Sequence, residues 1–253
     1  MVEAWLWVGT IGMAVGSAGF LVWSLMRGHR GSREEQQGLL TFIVPLTAAV
    51  AYLAMALGQG SFLLGDREVF WARYADWSIT TPLLLLHFVV MLRIRPVLAA
   101  GIIFADVAMI LTGFGGALAD HGHHVNYLWW IVSSGMFIAI FAILATQLGA
   151  YAREGDPRRA AVTRNLMSLL LVLWLVYPIV WLFGTTGNGA LSPGAETAIY
   201  TVIDLIAKVG FGIVLTLGVS SLRDSVSARQ AEPSRPQSAE RGAGSRRRTA
   251  PSR

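Results

Sequence analysis

The sequence predicts an all-α fold, a bundle of seven transmembrane helices, and both its composition and its apolar runs favour this class. Of the 253 residues, 54% are hydrophobic and only 14% are charged, whereas a soluble domain carries about 25% charged residues. The mean hydropathy is +0.55. This composition excludes a disordered chain and argues against a soluble enzyme. The sequence contains no cysteine, which excludes disulfides and thiolate metal sites.

Seven apolar windows are each long enough to cross a hydrocarbon core of about 30 Å. They cover residues 4–26, 38–60, 71–92, 97–118, 125–148, 163–183 and 195–221. Arginines lie in the loops 27–37, 92–97 and 149–164 and in the tail, whereas the alternate loops hold few cations. Because cytoplasmic loops are enriched in Lys and Arg, we expect an extracellular N-terminus and a cytoplasmic C-terminus in a plasma-membrane protein.

The chain divides into a membrane domain over residues 1–223 and a tail over residues 224–253. The tail is rich in Ser, Arg, Pro, Gln and Gly, a composition typical of disorder. The sequence pI near 10.1 reflects this basic cytoplasmic tail and the inner loops. We therefore expect membrane lipid as a partner and no nucleic acid.

One cation does not lie in a loop or in the tail. Lys208 is the single lysine among 20 Lys and Arg residues, and it lies inside the apolar stretch AIYTVIDLIAKVGFGIVLTLG. Asp204 precedes it by four residues, which places both on one helix face. An ionisable group inside a membrane costs several kcal/mol unless it is paired, and it marks a functional site by default. The alternative is a salt bridge that only fixes packing, but buried pairs often add no net stability.

The third span carries a column of polar residues. Arg73, Asp76 and Thr80 share one stripe at spacings of three and four. His87 follows eleven residues after Asp76, on nearly the same face and about 16 Å deeper. Glu196, near the outer end of the seventh span, either extends this column or is an ordinary solvated carboxylate. A lone buried histidine is usually structural, but its alignment with Asp76 makes a functional role equally plausible.

Aromatic residues form a second pattern within the spans. Trp174, Tyr177 and Trp181 repeat at spacings of three and four on the sixth span. Core packing or an interfacial belt would explain such a stripe. An inward stripe near a buried lysine suits a long conjugated ligand better than an ion path alone.

Six of the seven spans resemble type I microbial rhodopsins, and the likeness is greatest to the bacteriorhodopsin-like light-driven proton pumps. The matching stretches are ARYADWSITTPLLLL, LWLVYPIVWLFG and IDLIAKVGFG, with weaker matches in PLTAAVAYLAMALGQG, ADVAMILTGFGGAL and LWWIVSS. The resemblance implies a bundle that encloses a retinal pocket and a light-driven outward proton pump, which is not an enzyme.

The same resemblance implies roles for individual residues. Lys208 would carry all-trans retinal as a protonated Schiff base, with Asp76 and Asp204 as counterions, Arg73 beneath them, and Asp76 taking the proton. The other positions assigned to cofactor binding are Tyr52, Trp77, Thr81, Leu84, Met109, Gly113, Trp130, Ser134, Trp174, Tyr177 and Trp181. Thr80 and Glu196 are also assigned to the proton-transfer path. Asp106 matches a residue that is hydrogen-bonded to the threonine at Thr81, and we expect it to be a protonated packing residue.

Two positions depart from the family's pumps. His87 stands where they usually carry Asp or Glu, and imidazole titrates near pH 6.5, so it is a candidate proton donor. Thr41 matches the position that contacts this donor in relatives. On the outer side Glu196 is present, but Thr186 replaces the second glutamate of relatives with fast release. We therefore expect late proton release.

The main alternative is a sensory (phototaxis) rhodopsin that signals through a transducer. Ala207 argues against it, since transducer-coupled sensors often carry threonine before the lysine. Asp76 argues against a chloride pump, and Asp204 against an inward pump of the xenorhodopsin type. A sodium pump would show a different pattern in the third span, and a channel would have more polar helices. A non-retinal receptor or transporter stays formally open.

The resemblance also bears on partners and colour. The family forms trimers and pentamers, so we expect a homo-oligomer. Trp130 stands where carotenoid-binding relatives carry glycine, and we therefore expect retinal alone, without a carotenoid antenna. Leu84, in place of glutamine, implies green rather than blue absorption.

Overall fold

The computed structural model describes residues 1–27, 32–119, 124–154 and 157–218. Met1–Leu217 form one compact unit. The predicted tail, 224–253, lies outside the described residues, as do parts of three loops. The division into a membrane domain and a tail therefore stays a prediction.

Seven long helices make up almost all of the described chain. They are α1 (Val2–Arg27), α2 (Ser32–Ala56), α3 (Trp71–Leu92), α4 (Pro96–Leu118), α5 (Val125–Glu154), α6 (Pro157–Phe183) and α7 (Pro193–Leu205). A π-helical turn, Ile206–Gly210, continues α7, and residues 211–218 are again α-helical. Within the described residues, seven helices are long and apolar enough to cross a membrane. The predicted all-α fold with seven spans is confirmed.

The helix ends follow from local sequence. Arg93 closes α3 in the left-handed region with φ 54°, and Pro96 opens α4, where its missing N–H costs nothing. Ser192 caps α7 by accepting a hydrogen bond from the Ala195 N–H, one residue before Pro193. The second span ends at Ala56, four residues earlier than the predicted window.

A short hairpin between α2 and α3 was not predicted. Strand β1 (Phe62–Leu64) pairs antiparallel with β2 (Arg67–Val69), and Leu64 lies opposite Arg67. Gly65, with φ 63°, and the residue after it form the two-residue loop, a Gly-Asp pair typical of tight hairpins. The hairpin places Arg67 beside the end of α4, where its Nη2 donates to the Ala117 carbonyl at 2.8 Å.

The helices pack as a ring in chain order. Each helix contacts the next, α7 closes the ring against α1, and α3 also contacts α5 and α6. Helix α3 therefore contacts four other helices, and it carries buried polar residues that include Arg73, Asp76 and His87. We call the end of the bundle near Glu196 the outer end and the end near His87 the inner end, after the predicted orientation.

Candidate functional site

Lys208 lies in the π-helical turn of α7, fully enclosed by the bundle. Only 3% of its surface is exposed. Its Nζ lies 2.6 Å from Asp76 Oδ2 and 2.9 Å from Asp204 Oδ1. The contact with Asp204 has the i,i+4 spacing read from the sequence, and the contact with Asp76 joins α7 to α3. The centre of the bundle thus holds one amine between two carboxylates.

The second carboxylate, Asp204, accepts hydrogen bonds on both of its oxygens. The Tyr52 hydroxyl donates to Oδ2 at 2.7 Å. The Tyr177 hydroxyl and the Trp77 indole N–H donate to Oδ1 at 2.6 and 3.3 Å, beside Lys208. Hydrogen bonds to the charged form stabilise it, so this shell favours Asp204 as an anion.

The first carboxylate, Asp76, is less well bonded. Its Oδ2 accepts from Lys208, but its Oδ1 has no partner among the described residues. Thr80 donates to the backbone carbonyl of Asp76 at 2.9 Å and so braces the helix turn that carries the carboxylate. Of the two acids beside the amine, Asp76 is the one whose anionic form is stabilised less.

A cavity adjoins this ion pair, between α3, α4, α5 and α6. Nine of the twelve residues assigned to cofactor binding line it: Trp77, Thr81, Met109, Gly113, Trp130, Ser134, Trp174, Tyr177 and Trp181. Trp77 and Tyr177 also donate to Asp204, so the aromatic wall of the cavity reaches the carboxylate that contacts Lys208. The cavity is thus lined mainly by aromatic and aliphatic side chains and lies next to the carboxylate that contacts the buried amine.

Three residues assigned to cofactor binding, Lys208, Tyr52 and Leu84, are buried but do not line the cavity. Sequence reasoning missed five residues that do: Tyr74, Ile110, Ser133, Phe137 and Pro178. Helical spacing was the available signal, since each of them neighbours a predicted residue or lies three or four positions from one.

Thr81 joins the cavity wall to Asp106 on α4. Its Oγ1 lies 2.7 Å from both the Trp77 carbonyl oxygen and Asp106 Oδ2. A threonine hydroxyl has one hydrogen to donate, and the carbonyl can only accept. Thr81 either shares its hydrogen between the two acceptors or donates to the carbonyl and accepts from a protonated Asp106. The expectation that Asp106 is a protonated packing residue stays a prediction.

Towards the outer end, Arg73 and Glu196 follow the two carboxylates. Arg73 Nη1 lies 3.7 Å from Glu196 Oε1, and the guanidinium stacks over the rings of Phe70 and Tyr200 at 5.0 and 4.5 Å. Glu196 Oε2 accepts from the Thr185 N–H at 2.8 Å and from its hydroxyl at 2.9 Å. Glu196 is thus buried and bonded, unlike an ordinary solvated carboxylate.

A second, more polar cavity begins at this pair. Arg73, Glu196, Thr185, Thr186 and Arg67 are among the residues that line it. Partial burial lowers the pKa of the Arg67 guanidinium, and the nearby Tyr74 and Glu196 oppose that shift. Thr185 was not predicted, although it is the direct neighbour of Thr186. The cavity extends from the buried arginine towards the loops of the outer end.

At the inner end, His87 is 1% exposed and stands edge-on to Phe211, with ring centroids 5.7 Å apart. Its Nδ1 lies 3.0 Å from the Leu83 carbonyl oxygen, and its Nε2 lies 3.5 Å from Thr41 Oγ1 on α2. Because a carbonyl only accepts, Nδ1 carries the hydrogen of the neutral ring. Nε2, on the side of α2, is then the nitrogen that can gain and lose a proton.

The sequence matches a family described as "Bacteriorhodopsin-like protein" over residues 1–222. Among curated proteins, it is 38% identical over 219 residues to a bacteriorhodopsin-II-like protein of Haloquadratum walsbyi, covering 83% of this chain and 87% of that one. It is also 38% identical over 225 residues to archaerhodopsin-3 of Halorubrum sodomense, covering 87% of this chain and 86% of that one.

Solved structures agree with this relationship. The crystal structure of cyanorhodopsin from the cyanobacterium Calothrix superposes with a TM-score of 0.81 at 43% identity, over 86% of this chain and 94% of that one. Thermophilic rhodopsin from Rubrobacter xylanophilus superposes with a TM-score of 0.81 at 40% identity, over 88% of this chain and 98% of that one. The chain is therefore a multi-pass membrane protein that belongs to the bacteriorhodopsin-like family of microbial rhodopsins.

Proposed function

We propose that this protein is a light-driven outward proton pump whose chromophore, all-trans retinal, is attached to Lys208 as a Schiff base. The observation that carries the proposal is the buried Lys208 amine, 2.6 and 2.9 Å from two carboxylates and adjoining an aromatic cavity. Relatives named bacteriorhodopsin and archaerhodopsin belong to a family of light-driven proton pumps, which supports the same reading.

The residues present fit retinal. Lys208 is the single lysine of the sequence, and a primary amine is the group that condenses with an aldehyde. The cavity wall consists mainly of aromatic and aliphatic carbon, with Thr81, Ser133 and Ser134 as its hydroxyl-bearing members. When bound, retinal supplies a cationic imine and a change of shape on absorbing light. Asp76 and Asp204 supply the negative charge that such a cation needs in a dry interior.

The two carboxylates take different parts in proton transfer. Asp204 is held as an anion by hydrogen bonds to both oxygens, so it acts as the permanent counterion. Asp76 has a free Oδ1 within the described part of the chain and is therefore the better proton acceptor. Thr80 keeps the turn of α3 in place while Asp76 changes charge.

The outward half of the path runs past Arg73. When Asp76 becomes neutral, Arg73 has less negative charge on its inner side and is drawn towards Glu196, already 3.7 Å away. The proton leaves late in the cycle, when Asp76 gives it up past Arg73 and Glu196 into the polar outer cavity. Glu196 is held in place by Thr185.

The inward half of the path runs through His87. Its Nε2 gains a proton from the cytoplasmic side and passes it towards the chromophore, while Nδ1 stays bonded to Leu83 and fixes the ring. Thr41 lies beside Nε2 and orients it. We place the C-terminus in the cytoplasm, following the arginine-rich loops.

We further propose that the protein forms a homo-oligomer and carries no carotenoid antenna. The Trp130 indole N–H donates to the Pro178 carbonyl at 2.9 Å, which fixes this bulky ring in the wall between α5 and α6. A carotenoid would have to displace it to contact the chromophore.

The experiment is light-driven pH change in a suspension of cells that express the protein and are supplied with retinal. We expect the medium to acidify in light, and a protonophore or the variant Asp76→Asn to abolish the signal. A pigment that forms but leaves the pH unchanged would favour the sensory alternative. Alkalinisation of the medium would contradict outward transport.

A further inference from the structure

Helix α1 approaches Tyr52 at Gly9 more closely than any side chain there would allow. A Cβ added to Gly9 would lie 2.3 and 2.5 Å from the ring atoms Cδ1 and Cε1 of Tyr52. Real Cβ atoms essentially never come within 3.0 Å of a heavy atom to which they are not bonded. Gly9 is itself buried, so the ring lies directly against the backbone of α1.

The ring of Tyr52 has little room to move. It is 1% exposed and packs with Leu6, Met55 and Ala72. Its far end is the hydroxyl that donates to Asp204 Oδ2 at 2.7 Å. The backbone of α1 therefore lies against one edge of the Tyr52 ring, and the carboxylate of α7 accepts from the hydroxyl at the end of the same rigid side chain.

We propose that Gly9 is a positioning residue of the chromophore site: its missing side chain allows the hydrogen bond from Tyr52 to Asp204, which helps to hold that carboxylate beside Lys208. This inference rests on the proposed function, in which Asp204 is a counterion. The steric link between Gly9, Tyr52 and Asp204 stands on the geometry alone. Gly9 thus acts on the site from a helix that contributes no side chain to the cavity.

The other glycines of α1 do not share this position. A Cβ on Gly12 would meet the side chain of Leu205 at 2.7 Å, and one on Gly16 would meet Val209 at 2.5 Å. Both of these neighbours are apolar and can donate no hydrogen bond from their side chains. Gly19, on the exposed side of the same helix, has nothing within 4 Å of its added Cβ and offers a matched control.

The size of the effect follows from the distances. To restore ordinary contact at 3.4 Å, the Tyr52 ring must retreat about 1 Å from a Cβ that would lie at 2.3 Å. A hydrogen bond of 2.7 Å that lengthens by this amount passes the usual limit of about 3.2 Å. Asp204 Oδ2 would then lose the Tyr52 hydroxyl as a donor, which is the same loss that Tyr52→Phe causes.

The test compares four variants with the wild type: Gly9→Ala, Tyr52→Phe, the double variant and Gly19→Ala. The first readout is the distance from Tyr52 Oη to Asp204 Oδ2 in structures of retinal-free protein, and the second is the absorption maximum of the reconstituted pigment at neutral pH. We expect Gly9→Ala to lengthen the distance beyond about 3.2 Å and to shift the absorption maximum in the same direction as Tyr52→Phe does. The double variant should match Tyr52→Phe alone, since both changes remove the same bond, and Gly19→Ala should match the wild type.

Two results would overturn the inference. A wild-type absorption maximum in Gly9→Ala, with Tyr52 Oη still 2.7 Å from Asp204 Oδ2, would mean that the backbone of α1 moves away and the ring stays in place. Full addition of the two shifts in the double variant would mean that Gly9 acts through another contact. If the wild type binds no retinal, the proposed function fails, and the distance in the retinal-free structures still decides on Gly9.

The inference can still be tested if Gly9→Ala folds poorly. Tyr52→Leu removes the ring that an added Cβ would meet, so Gly9→Ala combined with Tyr52→Leu should recover the expression level and melting temperature of Tyr52→Leu alone. Failure of this rescue would contradict the steric link.

Discussion

Replacing His87 with alanine tests the inward half of the proposed path. His87 is eleven residues from Asp76, about 16 Å along α3. Direct proton transfer requires donor and acceptor to be about 2.6–3.2 Å apart or joined by one water, so a proton from His87 must reach the chromophore through several intervening groups or water molecules. The variant removes the Nε2 atom beside Thr41. It also leaves a cavity at the inner end of the bundle, because His87 is only 1% exposed. Losing a positioned acid of this kind costs about 10²–10⁴-fold in rate. We therefore expect chromophore reprotonation to slow by at least about 10²-fold.

The assay is flash photolysis of His87→Ala and wild type with a pH-sensitive dye in the bulk solution. Without a buried donor, the proton must come from solution, so the recovery rate of the variant should fall about tenfold for each unit of pH increase. Thr41→Val is the matched control, because it keeps the imidazole and its bond to Leu83, and its rate should change less than tenfold. An unchanged, pH-independent recovery in His87→Ala would refute the donor role.

Two further predictions concern the outer end and the cavity wall. In the wild type, the dye should register proton release late in the cycle. Thr186 supplies no second acid beside Glu196, and Thr185 holds the Glu196 carboxylate by two hydrogen bonds. Early, fast release at neutral pH would contradict this. Thr81→Val should destabilise the pigment by about 1–3 kcal/mol, because Asp106 loses its 2.7 Å partner in a buried site. Thermal bleaching measures this cost, and a variant that bleaches at the wild-type temperature would count against the hydrogen bond.

The parts of the fold that depend on helix length, hydropathy and local spacing could be predicted from the sequence. Seven apolar windows became seven helices, and the i,i+4 spacing of Asp204 and Lys208 became a 2.9 Å contact. The stripe of Trp174, Tyr177 and Trp181 lies on one cavity wall, because residues three and four apart share a helix face.

Contacts between helices could not be read in this way. The approach of Asp76 to Lys208, 132 residues apart, depends on how α3 and α7 are rotated towards each other. Spacing alone does not fix that rotation, since lipid-facing and core-facing side chains are equally apolar; the family resemblance pointed to it. The contact of Gly9 with Tyr52 and the role of Thr185 lacked even that signal, because glycine and threonine are common in transmembrane helices and loops.

The central claim is that Lys208 carries the chromophore, and covalent trapping tests it most directly. Borohydride reduces a Schiff base to a stable amine, so reduction of the reconstituted pigment, proteolysis and mass spectrometry locate the modified residue. We predict a retinyl adduct on the peptide that contains Lys208, and loss of the visible absorption band in Lys208→Ala. An adduct at the N-terminus, or a coloured pigment in Lys208→Ala, would contradict the account.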